Sequence, residues 1–113
     1  MRRLRNSRKF RLYKEARREL CALYPAAFPP VGKRPALKIG ILDDIRANGG
    51  MTISMTCCRR FLSIWTSSTA YLSNMRSGMP RIGLDGTVLD AVSDSHQREA
   101  RQILSERKKF KRG

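Results

Sequence analysis

Apolar residues recur every three or four positions in several segments of the chain, a spacing typical of amphipathic helices. The first segment covers residues 7–23, and the second covers residues 37–47, where Leu37, Ile41 and Ile45 share one face. Residues 48–50, Asn-Gly-Gly, end the second helix because both residue types tolerate the left-handed conformation that follows a helix. Residues 24–36 contain four prolines and one glycine, which predicts a loop between the two helices.

A third helix is predicted from Thr52 or Ser54 to about Trp65. The residues of its inward stripe are Cys58, Phe61, Leu62 and Trp65. A short fourth helix with Tyr71, Leu72 and Met75 follows residues 66–68, and a last helix begins at Ser93 and continues into the C-terminus. With that stripe facing inward, the outer face of the third helix carries Arg59, Arg60 and Ser63.

Residues 81–92 alternate with a period of two, which predicts a β-hairpin. Asp85-Gly86 is a strong turn signal, and a turn there places Ile82 and Leu84 against Val88 and Val92. The predicted fold class is therefore mainly α with a small β-hairpin (α+β), and the length fits a single domain.

The charge of the chain is concentrated at its two ends. It carries 24 Lys and Arg against 9 Asp and Glu, a formal net charge of +15. We divide it into a basic N-terminal helical arm (1–18), a globular domain (19–105) of ordinary charge, and a basic C-terminal tail (106–113). Such an imbalance repels itself in a compact fold and predicts an anionic partner, which the arms attract without regard to sequence. The arm residues expected to contact it are Arg2, Arg3, Arg5, Arg8, Lys9, Arg11, Lys108, Lys109, Lys111 and Arg112.

No pattern typical of an enzyme or a metal site occurs in the sequence. The single histidine, His96, falls in the first turn of the last predicted helix, where a surface or capping role is the simplest interpretation. The three cysteines, Cys21, Cys57 and Cys58, lack zinc-site spacing and are expected to be reduced. We therefore expect a protein without catalytic activity, metal or other cofactor.

The basic arms are compatible with several anionic partners, namely DNA, ribosomal RNA, regulatory RNA or an anionic membrane surface. The arginines of the first helix occupy most of its circumference, which argues against a membrane-surface helix. No apolar run approaches the roughly 18 residues of a membrane span, and the N-terminus lacks the apolar part of a secretory signal. We therefore expect a cytoplasmic protein, although charge alone does not separate DNA from RNA as its partner.

Several phrases of the central segment stand in the order and spacing of one known family. They are YPAAF (24–28), RPALKIGILDDI (34–45), WTSSTAYL (65–72), RIGLDG (81–86) and HQREAR (96–101). Over about residues 20–105 the chain resembles the ProQ/FinO domain of bacterial RNA chaperones. The resemblance implies binding of structured RNA, typically an intrinsic-terminator hairpin with a 3′ U-rich tail, and for some members the pairing of an antisense RNA with its target.

The resemblance also implies which side chains contact RNA on a concave face. These are Lys38, Arg59, Tyr71 and Arg81. Where the family commonly has a basic residue, this chain has Met55, Ser63 and Gln102, so we expect Arg60 and the arms to compensate. Each assignment has a structural alternative: Lys38 as a solvated helix charge, Tyr71 as a core tyrosine, and Arg81 as an ion-pair partner of Asp85 or Asp90. Trp65 is expected in the core.

Thr66, Ser67 and Ser68 place three hydroxyl groups in a row at a break in the helical pattern. One of them is expected to cap the helix that carries Tyr71. A helix N-terminus also suits a phosphate, and spare hydroxyls can donate to it. We therefore predict that the break receives the 3′ end of the RNA; capping alone is the alternative.

The sequence as a whole predicts a monomeric RNA chaperone that recognises terminator hairpins with a single-stranded 3′ tail. Its expected partners are small RNAs, antisense RNAs and messenger 3′ ends, and its expected role is post-transcriptional regulation. The competing hypothesis is a generic basic nucleic-acid-binding protein, ribosome-associated or DNA-architectural, without selectivity for a 3′ end.

Overall fold

The computed structural model describes the backbone of residues 2–112 and the side chains of residues 8–109. Within this part of the chain, five helices and three short strands follow one another in an order that confirms the predicted α+β class. The elements are α1 (Arg2–Leu23), β1 (Ala36–Leu37), α2 (Ile41–Asn48), α3 (Met55–Thr66), α4 (Thr69–Leu72), β2 (Pro80–Ile82), β3 (Val88–Ala91) and α5 (Asp94–Arg112).

Helices α1 and α3 form the centre of the core. Ala16 and Leu20 of α1 are fully buried one turn apart, and α3 buries Cys58, Phe61 and Trp65 on the predicted stripe. The apolar residues whose helical spacing predicts α1 are Phe10, Tyr13, Leu20 and Leu23, but the first and the last of them do not face the core: Phe10 is 56% exposed and Leu23 is 47% exposed. The inward face of α1 instead continues through Ala16, whose small side chain gave no signal in the apolar pattern.

Four aromatic rings join α1, the loop after it and α3. Phe61 stacks on Tyr13 with ring centroids 5.4 Å apart and meets Phe28 edge-on at 5.5 Å. Trp65 lies 5.3 Å from Phe61 and 5.6 Å from Phe28. These are the favoured geometries of aromatic pairs, and they fix the predicted core position of Trp65.

The three strands form one sheet in the order β1-β2-β3, with β1 parallel and β3 antiparallel to β2. The predicted hairpin is confirmed as the β2–β3 pair, where Ile82 lies opposite Val88. Leu84 was expected to face Val92, but it does not. It is buried within the turn, which is closed by a hydrogen bond from the Gly86 amide to the Gly83 carbonyl. Hydrogen bonds from Thr87 hold the pKa of the Asp85 carboxyl in this turn below its ordinary value.

Strand β1 was missed, because Leu37 was predicted to begin a helix. Two residues are too few to show a strand period, and Leu37, Ile41 and Ile45 do have helical spacing. The helix does not extend back to Leu37, because Gly40 adopts a left-handed conformation with φ of 85° and α2 begins only after it. The spacing therefore marked three buried residues correctly but assigned the first to the wrong element.

Replacing Phe61 by alanine tests the aromatic core. The Phe61→Ala substitution should lower the free energy of unfolding by about 3–5 kcal/mol, because it removes a buried ring and leaves a cavity. The matched Phe10→Ala substitution removes the same ring from an exposed site and should cost less than about 1 kcal/mol. Urea unfolding followed by circular dichroism measures both, and equal losses would contradict this description of the core.

Candidate nucleic-acid interface

Tyr71 and Arg81 meet at the backbone of one residue, Leu37. The Leu37 amide donates to the Tyr71 hydroxyl at 3.1 Å, and an Nη1–H of Arg81 donates to the Leu37 carbonyl at 2.7 Å. Tyr71 and Arg81 are each only 5% exposed. The Tyr71 ring therefore offers no open face for a base to stack on, and its position is that of the core tyrosine considered as the alternative.

Arg81 is a buried cation held by backbone and histidine rather than by a carboxylate. Its Nη2 lies 3.0 Å from His96 Nδ1, and because a guanidinium has only donors, that ring nitrogen must accept. The ion pair considered with Asp85 or Asp90 is wrong, since the ion pairs among the described side chains are Lys38–Asp44 and Arg46–Asp43. Nor is His96 a simple surface histidine, because it joins α5 to β2.

Lys38 lies directly after β1, beside this buried pair. Its amide donates to the Ile82 carbonyl at 2.8 Å, which extends the contact between β1 and β2. Its ammonium group contacts both carboxylate oxygens of Asp44 in α2, at 2.9 and 3.1 Å. Lys38 thus lies outside a helix, and its ammonium group is one half of a partly exposed ion pair.

The three hydroxyl groups at 66–68 are used mainly to end α3. Thr66 donates to the Leu62 carbonyl at 2.7 Å, Ser67 to the Ile64 carbonyl at 3.2 Å, and Ser68 to the Trp65 carbonyl at 2.7 Å. The last four carbonyls of α3, those of residues 63–66, lack partners within the helix, and the hydroxyls of Ser67 and Ser68 bond two of them. The Thr66 hydroxyl instead bonds back to the Leu62 carbonyl one turn earlier. The idea that spare hydroxyls donate to a phosphate is therefore wrong in this conformation, since each one already donates within the protein.

Ser68 also provides the predicted helix cap. Its Oγ accepts from the Tyr71 amide at 3.2 Å, and the backbone of Ser68 is extended as the N-cap position of α4 requires. This cap fixes the first turn of the helix whose tyrosine reaches Leu37.

Two arginines that the sequence pattern did not single out supply positive charge at this break. Arg34 lies over the Trp65 ring, with its guanidinium carbon 3.7 Å from the centroid, and donates to Ser68 Oγ at 3.0 Å. Arg107 of α5 donates to the Ser67 carbonyl at 2.5 Å and to Thr69 Oγ1 at 3.3 Å. Among residues 8–109 neither guanidinium is paired with a carboxylate, and each keeps further N–H groups for an anion.

A sequence signal for Arg107 did exist. Ala100, Leu104 and Arg107 fall at i, i+4 and i+7 on the inward face of α5, and their side chains are buried or half-buried. A charged residue that continues an apolar stripe has to meet a polar partner, here the end of α3. Arg34 gave no comparable signal, because its position over Trp65 depends on the path of the preceding proline-rich loop.

The comparisons with known proteins show the family of this chain. The model described as ProQ/FINO family matches residues 10–112, nearly the whole chain. The chain belongs to the ProQ/FinO family. It is also similar to the NMR solution structure of a ProQ homolog from Legionella pneumophila, with 30% sequence identity and a TM-score of 0.67. That match covers 81% of this chain and 80% of the Legionella chain.

Membership in the ProQ/FinO family supports an RNA-binding chaperone role and makes RNA the partner of this chain. The family is a non-enzymatic one. Within the residues that the structure describes, no group of three His, Cys, Asp or Glu side chains is placed to hold a metal ion. The helices of the same part of the chain are each too short or too polar to cross a membrane.

The other cations predicted for this ProQ/FinO domain lie on its surface. Arg59 and Arg60 are exposed on the outer face of α3, where Ser63 is exposed as well. Both arms are helical: α1 continues through the predicted boundary at residue 18, and α5 through the one at 106. The exposed arm side chains are Arg8, Lys9, Arg11, Lys108 and Lys109, while those of Arg2, Arg3, Arg5, Lys111 and Arg112 lie outside the described residues.

The two neighbouring serines at the break provide a matched test of the cap. Ser68→Ala should lower the free energy of unfolding by about 1 kcal/mol, because the Tyr71 amide loses its cap. Ser67→Ala removes an exposed hydroxyl that caps no amide, so the free energy of unfolding should change by less than about 0.5 kcal/mol. Thermal and urea unfolding measure the difference, and a larger loss for Ser67→Ala would contradict the assigned geometry.

Proposed function

We propose that this chain recognises intrinsic-terminator hairpins with a single-stranded 3′ U-rich tail and acts in small-RNA or antisense-RNA regulation. The observation that carries the proposal is the pair of guanidiniums at the break between α3 and α4. Arg34 and Arg107 approach the same three residues, 67–69, from the loop before β1 and from α5. These two cations have no carboxylate partner among residues 8–109 and lie at one short segment, which favours a ligand that carries negative charge.

The end of an RNA strand fits such a place better than the middle of a duplex. Arg34 is held against Trp65 and Ser68, and Arg107 is held against the Ser67 carbonyl. The two guanidiniums therefore cannot contact phosphates along several base pairs of an RNA duplex. The 3′ terminus of a strand carries its 2′- and 3′-hydroxyls close to the last phosphate, and guanidinium forks can donate to both kinds of oxygen. The hydroxyl donors expected from the sequence are thus replaced by arginine donors at the same location.

The stem of the hairpin requires a different kind of contact. The deep major groove of A-form RNA is closed to side chains, so a stem is held through its phosphates and its shape. Exposed cations on α3 and on both arms suit such contacts, and those assigned to the stem are Arg59, Arg8, Arg11, Lys108 and Lys109. We propose that they bind the stem and speed association, while the break selects the 3′ end.

Removing the tail tests the selectivity. A terminator hairpin with its U tail should bind at least about tenfold more tightly than the same hairpin without the tail or with a blocked 3′ hydroxyl, if one or two charge-assisted hydrogen bonds depend on the terminus. Filter binding at fixed salt measures the three affinities. Equal affinities would contradict the proposal and favour the generic nucleic-acid-binding hypothesis.

Arg107→Gln tests the contribution of α5, with Arg98→Gln as its control. Arg98 is exposed on the same helix, so both substitutions remove one positive charge. Any effect of the lost net charge on association is therefore common to both variants. Arg107→Gln alone should reduce the ratio of tailed to tailless affinity, about tenfold if one charged contact to the terminus is lost. Identical ratios for the two variants would exclude Arg107 from the 3′-end site.

A further inference from the structure

A groove between α1 and α3 is not occupied by any part of the described chain and is not used by the proposed 3′-end site. It encloses about 290 Å³, at the small end of ligand pockets. Its walls are apolar, with Leu12 and Tyr13 from α1 and Phe61 and Ile64 from α3. Ile64 is 50% exposed there, so the groove leaves apolar surface open to solvent.

The polar residues around this groove are cationic or neutral. Lys9 and Arg60 lie on opposite helices, both exposed, and no acidic side chain lines the groove. Neither belongs to the ion pairs found among residues 8–109. Ser63 and Cys57 add a hydroxyl and a thiol to the wall formed by α3. The groove therefore combines an apolar slot with positive charge on both sides, which suits a flat apolar group attached to an anion.

The groove also lies next to the break. Ser63 and Ile64 are one helical turn before Ser67, whose hydroxyl donates to the Ile64 carbonyl. One turn of α-helix advances by about 5.4 Å, a distance of one to two nucleotides along a strand. An RNA tail that ends at Arg34 and Arg107 can thus pass along α3 and reach the groove with a nucleotide close to its end.

We propose that the groove between α1 and α3 receives the base of one unpaired tail nucleotide, with the adjoining phosphate bound by Lys9 and Arg60. The inference rests on the proposed function, because it assumes a tail that starts from the break. A base has two apolar faces for Leu12 and Ile64 and polar edges for Ser63, and stacking against apolar and aromatic walls does not require one particular base. A second nucleotide position of this kind would make the domain prefer a tail of several nucleotides over a single overhanging one.

Cys57 provides a direct probe of this groove. In a Cys21→Ser background, Cys57 is the accessible thiol of the described residues, because Cys58 is fully buried and burial raises the pKa of its thiol. The rate of Cys57 alkylation by iodoacetamide should fall at least about tenfold when a hairpin with a six-uridine tail saturates the protein, since a stacked base excludes the reagent. Saturation with a blunt duplex of the same stem should leave the rate within about twofold. Unchanged alkylation with the tailed RNA, or equal protection by the blunt duplex, would overturn the proposal.

Affinities measured on the same samples separate the two hypotheses. If the tailed hairpin binds more tightly than the tailless one yet Cys57 stays reactive, the 3′-end site stands and the groove inference fails. If tail and blunt end bind equally, the proposed function itself fails, and the groove inference fails with it.

A pair of isoleucine substitutions tests the groove without a thiol. Ile64→Asp puts a negative charge into the groove, whereas Ile103→Asp puts one on α5 at a site of similar exposure, 41% against 50%. Ile64→Asp should weaken binding of the six-uridine tail about fivefold or more relative to Ile103→Asp. The two variants should bind a hairpin with one overhanging uridine equally. Equal affinities for the long tail would overturn the proposal, and unfolding curves of both variants confirm that they are folded.

Discussion

Leu37 is bonded through both of its backbone polar groups to side chains from other elements. In an edge strand of two residues, the amide and carbonyl that point away from β2 have no strand to pair with. The Tyr71 hydroxyl and the Arg81 guanidinium take that place. Because a buried backbone group without a partner costs about 1–3 kcal/mol, these two side chains hold β1, α4 and α5 in one arrangement. Arg34, three residues before Leu37, is held by a further bond, in which the side-chain amide of Asn74 donates to its carbonyl at 3.0 Å.

The arginines of the domain divide into two groups with different roles. Arg81 is buried and uses its donors on Leu37 and His96, so its charge serves the fold. Arg34 and Arg107 are half-buried, are fixed by neutral partners, and retain donors. A cation that is oriented by neutral groups loses little of its attraction for an anion, whereas one oriented by a carboxylate loses most of it. In this respect Lys38, paired with Asp44, is less available than the sequence suggested.

Much of the fold could be predicted because it depends on local patterns. The stripe of α3, the cap before Tyr71 and the turn at Asp85-Gly86 each depend on residues close together in sequence. Strand β1 and the partner of Arg107 could not be predicted, since Leu37 meets Ile82 across 45 positions and Arg107 meets Ser67 across 40. The apolar stripe of α5 indicates only that Arg107 faces inward. The three hydroxyls were assigned to a ligand for a different reason. The carbonyls that they bond lie only three or four residues back, but the sequence does not show whether a hydroxyl turns to its own helix or to a ligand.

We propose that the 3′ end of the RNA lies at the break between α3 and α4, between Arg34 and Arg107. The most direct measurement is photo-crosslinking of a terminator hairpin whose 3′-terminal nucleotide is 4-thiouridine, with the crosslinked peptides mapped by mass spectrometry. We predict crosslinks within residues 66–72 and in the peptides that contain Arg34 or Arg107. Crosslinks confined to the arms, at residues 8–11 and 108–109, would contradict the account.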